Sequence, residues 1–65
     1  VEGHDLAASK LAAFRDKDRD FVRVLLVEGL IDADVLLERI ETMELEPELR
    51  DRMVRWTGAI AAELD

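Results

Sequence analysis

Lys10, Arg15, Lys17 and Asp18 are the residues of this chain whose types and spacing suggest chemistry. Lys10 stands in an apolar run in which Ala8, Ala12 and Ala13 take up little space. An ammonium group held there can meet a phosphate as a point charge, and the small neighbours let a ligand come close. Asp18 follows about two helical turns later, where it could receive Lys10 or Arg15 as an ion pair and orient it. The plainer alternative is that these charges only keep a helix surface soluble.

Other candidates carry less. Asp16, Asp18 and Asp20 have the spacing that opens a calcium loop, but that loop needs Gly at its sixth position and Glu at its twelfth. Phe21 and Val27 stand there instead, so the acids read as charge favoured at a helix start. His4 is the only histidine and has no partner motif for zinc or a nucleophilic triad; it is assigned a local turn or capping role. Ser9 lies at no recognisable distance from a base and is assigned to helix surface. Trp56 is expected in an apolar contact, within the chain or against a partner. No catalytic residue and no metal ligand is assigned.

Helices must position these groups. The first is expected to open at Asp5, as a cap for free amide groups, and to carry Ala7, Leu11 and Phe14 on one face. A short turn is placed near Arg15–Lys17, with Asp16 or Asp18 capping the second helix. Because residues 15–20 contain neither Gly nor Pro, one bent helix over residues 5–28 is the alternative. Phe21, Val22, Val24, Leu25, Leu26 and Val27 are apolar on nearly every side, which reads as a central helix, and Gly29 supplies its left-handed end. Asp32 is expected to cap a third helix, with Ile31 and Leu36 as its hydrophobic staple and Leu36, Leu37, Ile40 and Met43 on its buried side. Pro47 suits the first position of a fourth, along which Leu49, Met53, Trp56, Ile60 and Leu64 form a stripe. Gly58 within it suggests a tight helix contact or a bend. The fold class is therefore all-α, a small bundle of about four short helices, with residues 1–65 as a single domain.

Sixteen acidic against nine basic side chains give a formal charge of −7. That field repels phosphate backbones and anionic lipid, which argues against nucleic acid or membrane as a general partner. A hydrophobic content of 49% excludes a disordered acidic tail. No apolar run approaches membrane-spanning length and no signal-peptide pattern opens the chain, so a cytoplasmic protein is expected. With no cysteine, neither disulfides nor thiolate metal sites can reinforce so small a core. A dimer, or a place against a larger body, is favoured. The start at Val1 rather than Met fits an excised piece, and equally a tag remnant or a processed terminus.

One stretch carries a family resemblance. Asp5-Leu6-Ala7-Ala8-Ser9-Lys10-Leu11-Ala12-Ala13-Phe14-Arg15-Asp16-Lys17-Asp18, followed by Phe21-Val22, resembles the segment D-L-x-x-S-K-L-x-A-x-R-x-K-D-x-x-F. That segment lies in the C-terminal helical half of small prokaryotic nucleotidyltransferase-like proteins, relatives of the abortive-infection toxins that transfer nucleotides. Gly29-Leu30-Ile31-Asp32 and Leu36-Leu37-Glu38-Arg39-Ile40 are similar to the same proteins, so the likeness covers about residues 4–45. In that superfamily an N-terminal α/β half holds Mg²⁺ and a nucleoside triphosphate with a Gly-Ser pair and an Asp-x-Asp. The helical half adds a lysine for the phosphates and an acid behind it. The resemblance implies a phosphate-contacting role for Lys10, a supporting role for Asp18, and Arg15 as a second contact.

The chain departs from that family in lacking the Gly-Ser pair and any strand to hold an Asp-x-Asp. Asp16-Lys17-Asp18 has the letters but falls in the helical segment. The expectation is a helical part, inactive alone, that works with a missing N-terminal catalytic domain; Mg²⁺ and the triphosphate belong to the complete protein. The competing expectation is a free-standing interaction module, a homodimer or an antitoxin-like partner, supported by a surplus of apolar helix faces.

Overall fold

The computed structural model describes residues 3–64 as four helices: α1 (Gly3–Ala13), α2 (Asp16–Val27), α3 (Ala33–Thr42) and α4 (Pro47–Leu64). There is no strand among the described residues. α1 and α4 each touch all three of the other helices. The buried residues of α1 are Ala7, Ala8 and Leu11. The alanines let neighbouring helices approach closely, and the room they leave is filled from within the chain.

Single residues set most of the helix ends. At the end of α2, Gly29 takes φ +73° and its N–H donates to Leu26 O, while the Leu30 N–H donates to Leu25 O. These two bonds define a Schellman motif, and its left-handed position is why a glycine stands there. Asp32 caps α3, its carboxylate accepting from the Asp34 N–H at 2.8 Å. Ile31 and Leu36, on either side of that cap, are both buried in the common core. Pro47 is the first residue of α4, where its missing N–H costs nothing.

Three expectations are corrected. α1 opens at Gly3 rather than with Asp5 as its cap; Asp5 lies in the first turn and its carboxylate accepts from Arg39 Nη1 at 2.6 Å, tying α1 to α3. The break between α1 and α2 falls at Phe14–Arg15, and neither Asp16 nor Asp18 caps α2: Arg15 occupies the cap position with no side-chain bond to the helix. The turn is made by Phe14 at φ +51°, a left-handed conformation that costs a side-chain-bearing residue about 1–2 kcal/mol. Packing holds it there, since Phe14 is half-buried against the core and the Arg19 guanidinium lies 4.7 Å from its ring centre. Finally, α2 is not a helix buried all round. Val22, Leu26 and Asp18 face inward, whereas Phe21, Val24 and Val27 are exposed.

The core joins all four helices: Leu11 from α1, Val22 and Leu26 from α2, Leu36 and Ile40 from α3, Met53 and Ile60 from α4. Thr57 is buried among them. Gly58 does not mark a close contact; α4 runs through it, it is exposed, and a Cβ built there would meet nothing within 4 Å. The Cα radius of gyration is 10.5 Å, close to the ~11 Å expected of a compact domain this long. The chain therefore closes a core with its own residues.

Candidate functional site

The α1–α2 junction gathers Lys10, Arg15 and Asp18. Lys10 is in the last turn of α1, Arg15 precedes α2, and Asp18 is in the first turn of α2. The left-handed turn at Phe14 reverses the chain, so that residues eight apart in sequence come together in space.

Asp18 anchors the group. It is only 3% exposed, and its Oδ2 accepts from Arg15 Nε at 2.8 Å. A buried carboxylate needs both a partner and a favourable field. The helix N-terminus around it supplies partial positive charge. The bond from Arg15 lowers the Asp18 pKa below its ordinary value; burial pushes the other way, and the charges of Arg15, Lys10 and Lys17 reinforce the lowering. Of the two cations that could have paired with Asp18, Arg15 takes the bond and Lys10 contributes through its field.

That geometry leaves both cations open to a ligand. Arg15 spends only Nε on Asp18, and its side chain stays 60% exposed. Its two terminal nitrogens make no bond among the described residues, so the forked end that suits phosphate oxygens is available. Lys10 is exposed too, with its Nζ 5.9 Å from the centre of the Phe21 ring. A cation over an aromatic face is held by the ring's quadrupole while staying hydrated. Lys17 is exposed on the next position of α2. The arrangement can bind an anion with two cationic side chains, one of them oriented from behind by a buried acid.

The remaining candidates have structural employment. Asp16 pairs with Arg19, and no group of metal-ligating side chains occurs among the described residues. His4 Nε2 accepts from the Asp32 N–H at 2.9 Å, so the imidazole joins α1 to the cap residue of α3 rather than serving the local role expected of it. Ser9 is on the exposed surface of α1. Trp56 is half-buried, packed on the core at one edge and lining an open cleft between α2 and α4 with Asp16, Arg19, Asp20 and Arg23. Sequence reading did not find this cleft, because its residues belong to two helices far apart in the chain. Arg19 and Arg23 already have acidic partners there, Asp16 and Glu63.

No helix is long and apolar enough to cross a membrane among the described residues. Comparison with protein families, with curated proteins and with solved structures found nothing that matches the chain.

Proposed function

We propose that this chain is the C-terminal helical part of a nucleotidyltransferase-like protein and contributes phosphate-contacting side chains without catalysing a reaction alone. In this reading Lys10 meets the phosphates as a point charge and Arg15 presents its fork beside it. Asp18 is a positioning residue. A catalytic domain on another stretch of polypeptide supplies Mg²⁺ and the nucleoside triphosphate, and the cytoplasm, where such triphosphates are abundant, is the compartment. The observation that carries the reading is the bond of a buried Asp18 to Arg15 through Nε. It fixes a guanidinium while leaving its terminal nitrogens free, and Lys10 lies near enough to act on the same carboxylate. Nucleotidyl transfer depends largely on positioning and on neutralising phosphate charge, which is work two cations can share.

The coding sequence directly upstream tests this reading. An in-frame segment encoding a Gly-Ser pair and an Asp-x-Asp is expected, and in the protein it encodes Lys10→Ala should weaken triphosphate binding with the fold intact. A stop codon close upstream, or undiminished affinity and transfer rate in the variant, would contradict it.

A second reading, a self-associating helical module, is favoured by one observation. Leu6, Phe21, Val24, Val27 and Leu30 are all at least 40% exposed, apolar surface that a second chain could cover.

A further inference from the structure

α2 carries one exposed stripe, along which the Lys10 ammonium of α1 lies over the Phe21 ring. Lys17, Phe21, Val24 and Glu28 lie at i, i+4, i+7 and i+11, the spacing that places four residues along one seam. All four are exposed, Val24 by 55%, while Asp18, Val22 and Leu26 are buried elsewhere around the helix. Lys17 and Glu28 make no ion pair among the described residues. The stripe thus has an apolar middle, a free cation at one end and a free anion at the other.

This order of groups is its own complement. When two such stripes are laid antiparallel about a twofold axis, Phe21 of each copy faces Val24 of the other, and Lys17 of each faces Glu28 of the other. An interface between identical chains must pair one patch with itself. A stripe with like charges at both ends would repel its own copy in this orientation, whereas this one cancels at both ends. We propose that the Lys17–Phe21–Val24–Glu28 face of α2 docks a second copy of this chain, as an antiparallel α2–α2 pair with two Lys17–Glu28 ion pairs closing the apolar centre. This rests on the self-associating reading and deepens it by naming its partner and register. The net charge of −7 on each copy opposes unregistered encounters, so the cancellation at the two ends selects the register. A single pair of short helices buries less than the ~1,600 Å² of a standard interface, so the dimer is weak and reversible.

Sedimentation equilibrium of the full 65-residue chain from about 10 µM to about 1 mM reads the outcome, since a small interface dissociates in that range. A reversible monomer–dimer equilibrium is expected. Val24→Asp, at an exposed position, should weaken it by about tenfold or more with the helical melt retained. Lys17→Glu and Glu28→Lys should each weaken self-association by about fivefold, because like charges then meet at both ends. Mixing the two single variants in equal amounts should restore dimers, since each end of the mixed pair again joins opposite charges. The double variant should dimerise like the wild type. A chain that stays monomeric to 1 mM overturns both the seam and the self-associating reading. A dimer indifferent to Val24→Asp, or single charge variants that do not rescue each other, overturns the seam and its register while leaving self-association standing.

Discussion

Arg15 Nε lies 2.8 Å from Asp18 Oδ2 across the first turn of α2, and the two side chains differ sharply in exposure, 60% against 4%. The acid is inside and the base is outside, so the pair works as a mount. Asp18 cannot reach a ligand in solvent, but it fixes the direction of a cation that can. The bond lies within the start of α2, joining the cap position to an inward-facing residue of the first turn.

The pair makes stability depend on pH with a definite sign. Asp18 has a lowered pKa in the folded chain, so the unfolded state binds its proton first as pH falls. Its contribution is present in full above the unfolded value of about 3.9 and is lost as pH drops through the lower folded value. Asp18→Asn is expected to be less stable than the wild type at pH 7, with the difference shrinking below about pH 4. Urea unfolding at a series of pH values checks this; a constant difference between the two proteins would contradict it.

His4 joins the start of α1 to the start of α3 by accepting from the Asp32 N–H. His4→Ala leaves that amide without its imidazole partner and should cost about 1 kcal/mol. A thermal melt should move down by about 4–8 °C for a domain of this size. Hydrogen exchange at Asp32 should quicken in step. An unchanged melt and an unchanged exchange rate would remove His4 from the cap.

Thr57 is fully buried and its hydroxyl has no hydrogen-bond partner among the described residues. Removing an unsatisfied buried polar group while keeping the branched shape is expected to stabilise, so Thr57→Val should gain about 1 kcal/mol. The urea midpoint reads the change. A loss of stability would mean that the hydroxyl is satisfied in solution.

Gly58 is exposed in the middle of α4 with open space where a Cβ would project. Gly58→Ala should gain about 1 kcal/mol from helix propensity alone. A loss would show that something covers this side of α4, and analytical sedimentation of the variant would reveal whether it is another chain.

Much of the backbone was legible in the residues because one residue type meets one local demand. Gly29 could be read as a left-handed helix end, Asp32 as a cap and Pro47 as a first helical residue, since each forecast depends only on neighbours in sequence. The α1–α2 junction was less legible. Its left-handed residue is Phe14, which carries no local signal for that conformation and is held by tertiary packing and the Arg19 guanidinium. The exposure of Phe21 and Val24 was hidden for a related reason: a helix apolar all round gives no hint of which side the core will take. At the candidate site, spacing suggested that Lys10, Arg15 and Asp18 act together. Which cation holds the acid depended on the position of the turn, and so did the burial of Asp18.

The central claim is that Lys10 and Arg15 form an outward-facing anion site set by Asp18. It is tested most directly by titrating the chain with inorganic tripolyphosphate and following the backbone amides and side-chain N–H groups by NMR. The account predicts saturable shifts confined to the α1–α2 junction, weak (about millimolar) because one small cationic cluster works alone against a net acidic chain, and lost in Lys10→Ala and in Asp18→Asn. Shifts spread over every cationic side chain, or an unchanged titration in both variants, would contradict it.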